Sequence, residues 1–145
     1  MSAEPSDHAP ATAVRGIDVP AVTAWLVEHV DCAVAPFEFG LIAGGRSNLT
    51  FTVTGADGHK LVLRRPPMGH VLATAHDMAR EYRIIAAIGP TGVPVPPALG
   101  LCTDETVNGA SFYVIGHVEG EVLDSPDKVD LLPVELRRPT SEHLI

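Results

Sequence analysis

The residues best suited to handle an anion lie in one stretch. Gly44-Gly45-Arg46-Ser47-Asn48 sits between two runs of alternating apolar residues, and a third run ends on Arg64-Arg65. Glycines let backbone amides come close to a charged group. Ser47 and Asn48 add side-chain donors, and a cation at the end of a neighbouring strand reaches the same charge. Strand, glycine-rich turn, strand, short turn and strand, in that order, suit a lid folded over phosphates.

The pattern around these residues supplies the elements that must hold them. Phe37, Phe39 and Leu41 alternate into a first strand, Leu49 to Thr54 form a second, and Ala56-Asp57-Gly58 is a hairpin turn. A third strand runs from Lys60 to Arg65 and stops at Pro66-Pro67, because proline cannot donate to the ladder. Upstream, Asp18 reads as the N-cap of a helix with Val19, Val22, Leu26 and Val30 on one face, widened by Trp25. Downstream, Thr74-Ala-His-Asp77 reads as a capping box. It opens a helix with Met78, Tyr82, Ile85 and Ile88 on one face, and Gly89-Pro90 stops that helix. Val93-Pro-Val-Pro-Pro97 is a stiff connector, Leu99 to Cys102 a fourth strand, Asn108-Gly109 a turn, and Ser111 to Val118 a fifth strand.

The expected fold class is therefore α+β: a five-stranded antiparallel sheet with one helix between strands 3 and 4, plus an N-terminal helix. Residues 1–16 read as a disordered tail, 17–35 as the N-terminal helix, 36–119 as the sheet unit, and 120–145 as a linker with a new apolar pattern. Thr140-Ser-Glu-His-Leu-Ile145 reads as the opening of a further helix, and a helix half built at a terminus leads us to expect a truncated chain. Leu123, Leu131, Leu132, Leu144 and Ile145 are then expected to be left uncovered.

Composition narrows the function classes. The chain has 145 residues and is 46% hydrophobic, enough for one domain with a modest core. No apolar run approaches the roughly 20 residues of a membrane span, and the acidic start Met1-Ser-Ala-Glu-Pro-Ser-Asp-His8 is no secretion signal. Cys32 and Cys102, far apart, read as thiols rather than a bridge, and a cytoplasmic location is expected. A net charge of −8 argues against a general nucleic-acid binder but leaves room for a small anion held by local cations. Lysine chemistry has only Lys60 and Lys128 to draw on. His70 and His76 fit no zinc spacing, and neither a Walker loop nor a dinucleotide fingerprint is present.

Five segments together resemble a known family: Gly44-Gly-Arg-Ser-Asn-Leu-Thr50, Val62-Leu-Arg-Arg-Pro-Pro67, Thr74-Ala-His-Asp-Met-Ala-Arg-Glu-Tyr-Arg83, Val93-Pro-Val-Pro96 and Phe112-Tyr-Val-Ile115. In that order they closely resemble the small lobe of the aminoglycoside phosphotransferase-like kinases, above all the branch related to the kinase domains attached to acyl-CoA dehydrogenases. The resemblance spans roughly residues 36–145. It implies an ATP-dependent phosphotransferase with a protein-kinase-like, two-lobed fold, represented here by the N-terminal lobe with the large lobe missing.

The resemblance also implies roles. Alternation puts Val62 and Arg64 on one face of the third strand and Leu61 and Leu63 on the other. Facing the cleft, Val62 would lie under adenine and Arg64 would point at the phosphates, where kinases at large carry lysine. Arginine keeps the charge on a longer, planar group. Arg65 would face away, so Arg65→Ala is expected to affect turnover only mildly. Glu81 would orient Arg64, with Asp77 already used as a cap. Ile115, Gly116 and His117 would form the hinge that binds adenine through backbone groups. The implied cofactors are ATP and Mg2+, with the catalytic base and metal ligands in the large lobe. His29-Val-Asp31 has part of the catalytic-loop spacing, but Pro36 stands where asparagine belongs, and the segment precedes the first strand. No catalytic or metal residue is therefore expected in this chain. The expected partners are ATP and a small-molecule or acyl-CoA hydroxyl acceptor, with no nucleic acid and no membrane. The expected function is the nucleotide-binding lobe of a phosphotransferase, inactive alone. The alternative is a short non-catalytic nucleotide-binding or protein-interaction module.

Overall fold

Period-two alternation builds a single sheet. The computed structural model describes residues 13–42, 48–69, 77–120, 123 and 125–142. Five strands run antiparallel: β1 Glu38–Leu41, β2 Leu49–Thr54, β3 Lys60–Arg65, β4 Ala98–Cys102 and β5 Phe112–Gly116, in the order β1-β2-β3-β5-β4. Phe51 stands opposite Leu63, and Leu63 opposite Val114. One face of the sheet thus carries Phe51, Val53, Leu61, Leu63, Phe112 and Val114, all buried. The other face carries Thr50, Thr52, Val62, Arg64, Tyr113 and Ile115.

Helix α1 (Val19–His29) covers the first face. Asp18 caps it by accepting from the Ala21 amide at 3.2 Å, and Val22, Trp25 and Leu26 are buried beneath it. Trp25 meets Phe112 edge-on with ring centroids 5.0 Å apart. The indole can settle this closely because β4 carries Gly100 there. A Cβ at Gly100 would stand 2.9 Å from Trp25 Cη2.

The last residue of β3 ties α1 to the sheet. As expected, Arg65 faces away from Arg64, but it is not at a solvated strand end. It is 6% exposed and donates to the carbonyls of Gly16 (2.7 Å), Asn108 (3.2 Å) and Pro66 (3.0 Å). Asn108 completes the staple, with Oδ1 accepting from the Asp18 amide at 2.8 Å and Nδ2 donating to Gly16 O at 3.1 Å. Burial lowers the Arg65 pKa from its ordinary value. The expected direction of the side chain holds, and the structure adds a role that the sequence did not suggest: Arg65 is a structural tie between segments distant in sequence.

Helix α2 (Met78–Ile88) packs on the opposite face, against β4 and β5. Its start corrects the capping box. Asp77 is itself the N-cap, accepting from the Arg80 amide at 2.9 Å, so a carboxylate meets the orphan donors directly. Thr74 lies outside the described residues. The helix gives way to a 3-10 turn at Gly89–Thr91, and the left-handed residue that closes this turn is Gly92 (φ +83°) rather than Gly89. The Asn108-Gly109 turn proves to be the end of a short helix, α3 (Glu105–Asn108), capped by Asp104 and closed by Gly109 at φ +75°.

Two helices follow, α4 Pro126–Asp130 and α5 Val134–Glu142. The helix expected to open at Thr140 has already begun at Val134 and encloses Pro139. Leu131, Val134 and Leu136 are 83%, 73% and 51% exposed. Leu123 and Leu132 are half-buried, and Leu144 and Ile145 lie outside the described residues. No helix among the described residues is long and apolar enough to cross a membrane.

Candidate functional site

The chemistry gathers on the sheet face opposite α1. Strand alternation presents Val62 and Arg64 there, and the antiparallel register sets Ile115 beside Val62 and Tyr113 beside Arg64. Glu81, in the first turn of α2, comes down onto this pair. Arg64 Nε lies 3.6 Å from Glu81 Oε2, and the two side chains are 38% and 34% exposed. An ion pair this open to water is worth little to stability, so stability alone gives no reason for it.

Two neutral donors hold the Glu81 carboxylate. The Tyr113 hydroxyl donates to Oε2 at 3.0 Å, and Asn48 Nδ2 donates to Oε1 at 3.1 Å. Asn48 is buried where the chain enters β2, so this bond joins the exit of the glycine-rich segment to α2. Tyr113 is 1% exposed, and its ring lies 6.2 Å from that of Tyr82. Burial above all pushes its phenol up to about 12; the Arg64 charge opposes this shift, and the contact with Glu81 reinforces it. Arg64 Nε is buried, yet it makes no hydrogen bond among the described residues.

Of the residues singled out from the sequence, the structure brings Asn48, Arg64 and Glu81 into one network, with Val62 beside them on the same face. Ile115, Gly116 and His117 follow at the end of β5. The Gly116 amide is engaged within the fold, donating to Pro97 O at 2.9 Å. Its missing side chain has a packing reason too: a Cβ would stand 2.6 Å from Pro97 Cγ. Gly44, Gly45 and Ser47 lie outside the described residues. Tyr113 was missed, although counting back by two from Ile115 along β5 places it on the same face.

A cavity of about 510 Å³ opens nearby, lined by Arg65, Met68, Asp77, Met78, Asn108 and others. Arg64, Glu81 and Tyr113 do not line it. Among the described residues no group of three His, Cys, Asp or Glu side chains is placed to hold a metal ion. Cys32 is exposed, Cys102 is buried, and both are free thiols.

The arrangement sets a guanidinium beside a fixed carboxylate, next to an apolar strip of sheet. Such a surface can take a ligand that is flat and apolar at one end and anionic at the other.

Comparison with known proteins identifies the fold. The sequence pattern of the phosphotransferase enzyme family matches residues 38–138. The chain is 38% identical over 101 residues to mouse acyl-CoA dehydrogenase family member 10, covering 70% of this chain and 9% of that protein. It is 32% identical over 134 residues to human acyl-CoA dehydrogenase family member 11, covering 90% of this chain and 17% of that protein. A crystal structure of a candidate aminoglycoside phosphotransferase from Ralstonia eutropha JMP134 superposes with a TM-score of 0.62 at 35% identity, over 73% of this chain and 29% of that one. The chain thus spans a minor part of each relative's length. With its five-stranded sheet and helices matched in both sequence and structure, the chain belongs to the phosphotransferase enzyme family and takes the aminoglycoside phosphotransferase-like kinase fold over part of that fold's length.

Proposed function

We propose that this chain is the nucleotide-binding lobe of an ATP-dependent phosphotransferase. The observation that carries the reading is the Arg64–Glu81 pair, set on the open sheet face beside Val62 and Ile115. A purine fits the apolar strip, and phosphates fit the guanidinium fork, which matches paired oxygens better than a point charge does. Arg64 would bind the phosphates, Glu81 would keep Arg64 on the cleft side, and Val62 and Ile115 would hold the base. Because Ile115 is paired with Val62 in the ladder and the Gly116 amide is taken by Pro97, backbone recognition of adenine would fall chiefly to the His117 groups just past β5. Gly44, Gly45 and Ser47 would cover the phosphates. Bound ATP supplies the transferable phosphoryl group. Its Mg2+ would be held, and the catalytic base supplied, by residues of the second lobe.

Residues 36–119 would form the lobe, and 120–145 would lead toward the second lobe. By this reading, residues 1–145 alone bind nucleotide and transfer no phosphate. The relatives' names suggest an acceptor hydroxyl on a small molecule or an acyl-CoA. The free thiols suit the reducing cytoplasm.

The test is a titration of a fluorescent ATP analogue into wild type and Arg64→Ala. We expect at least about tenfold weaker binding by the variant, the scale of a lost charge-assisted contact. Equal affinities would remove Arg64 from the phosphate site, and with it the main support for this reading.

A further inference from the structure

We propose that Tyr113 is a positioning residue for Arg64, acting through Glu81 to keep the guanidinium available to phosphate. This rests on the nucleotide reading above. Arg64 Nε sits 3.6 Å from Glu81 Oε2, too far for a hydrogen bond, and it is buried without a hydrogen-bond partner among the described residues. The oxygen it faces already accepts the Tyr113 hydroxyl at 3.0 Å, and the other oxygen accepts Asn48 Nδ2 at 3.1 Å.

The carboxylate is therefore fixed by two neutral donors from β5 and the entry to β2, not by the cation. Arg64 feels the charge without being pinned to it. A guanidinium held that way keeps its planar fork free to turn toward paired oxygens. Tyr113 is well placed for this task. It stands opposite Arg64 on the adjoining strand, and its ring is buried beside Tyr82, so the hydroxyl has little freedom to leave Glu81. Remove that hydroxyl and Oε2 is left without its neutral donor. Arg64 Nε, 3.6 Å away and without a hydrogen bond among the described residues, would close on Oε2 and turn the fork away from the ligand.

Tyr113→Phe removes the hydroxyl and keeps the ring. In this chain we expect ATP affinity to fall by about 3- to 10-fold, the scale of one hydrogen bond. Adenosine affinity should be unchanged, since adenosine carries no phosphate. A purely structural defect would weaken both. In an Arg64→Ala background, Tyr113→Phe should have no further effect on ATP. The Arg64 Nε–Hε NMR resonance reads the same geometry without nucleotide, and Tyr113→Phe should shift it downfield as Nε meets Glu81. An unmoved resonance, or equal losses for ATP and adenosine, overturns the proposal. If wild type binds neither ligand but the resonance still shifts, the nucleotide reading fails and the positioning of Arg64 by Tyr113 stands.

Discussion

Replacing Arg65 should unfasten α1 from the sheet and cost far more stability than replacing its neighbour Arg64. The Arg65 guanidinium is 6% exposed and donates to three backbone carbonyls, those of Gly16, Pro66 and Asn108, at 2.7 to 3.2 Å. Arg65→Ala leaves Gly16 O with its bond from Asn108 Nδ2, but it removes the donor that Asn108 O and Pro66 O receive from Arg65. Hydrogen bonds to a charged group contribute about 1.5–3 kcal/mol each, and a buried acceptor left open costs about 1–3 kcal/mol. Relief of the desolvated cation offsets part of this, because burial already disfavours the charged form. The net loss should be about 3 kcal/mol, a large share of the roughly 5–15 kcal/mol that stabilises a domain. For a chain of this length that is a fall of roughly 10 °C in Tm. Arg65→Lys should recover only part, since one ammonium cannot reproduce the fork. Arg64→Ala, in a pair exposed by more than a third, should cost under about 1 kcal/mol. Urea denaturation and thermal melts followed by far-UV circular dichroism read all three. An Arg65→Ala protein melting within about 2 °C of wild type would refute the tie between β3, α3 and α1.

Tyr113 makes stability fall at high pH. Its folded pKa, raised from 10.0 to about 12, means the folded chain holds the phenolic proton more tightly, so the contribution is whole below pH 10 and lost between pH 10 and about 12. About two units correspond to stability on the order of 3 kcal/mol; tyrosinate absorbance in a Tyr82→Phe background checks it, and an onset of ionisation near pH 10 in the folded state would contradict it. Gly116→Ala should destabilise by about 1–3 kcal/mol, because the new Cβ would sit 2.6 Å from Pro97 Cγ; an unchanged urea midpoint would show that Pro97 yields freely. Asn108→Ala removes the bonds to the Asp18 amide and Gly16 O, so amide exchange at the start of α1 should accelerate while α2 keeps its protection; equal change in both helices would argue against a local staple.

The sheet was legible because its information is local. Leu49–Thr54 alternates apolar and polar residues and meets Lys60–Arg65 across an Asp-Gly turn, and the burial of Phe51, Val53, Leu61 and Leu63 follows from the period-two side-chain geometry of the paired strands. The same rule put Val62 and Arg64 on one face and Arg65 on the other. What Arg65 does there was not legible, since its partners Gly16 and Asn108 lie far away in sequence and only the docking of α1 and α3 brings them in. Short α3 was hidden behind the Asn-Gly turn signal, although Asp104 and Thr106 carried a cap signature, with Asp104 Oδ1 accepting from the Thr106 amide at 2.9 Å. Asp77 was assigned to the wrong cap position because two overlapping cap patterns compete, and the one nearer the apolar run is used. In the candidate site, Glu81 was found by its place in the helix after β3. Tyr113 was passed over because a tyrosine inside an apolar strand reads as core. It is core, and its hydroxyl is also the buried group that sets Glu81.

On the proposed reading, ATP lies on the sheet face carrying Val62, Arg64 and Ile115, opposite α1. Methyl NMR of this chain during a titration with ATP tests it directly. We expect shifts at Val62 and Ile115 that saturate with ligand, together with a shift of the Arg64 Nε–Hε resonance. Val22, Leu26, Val53 and Leu63, on the α1 side, should stay still. Saturable shifts confined to the α1 side, or ATP binding that leaves Val62, Arg64 and Ile115 unmoved, would contradict it.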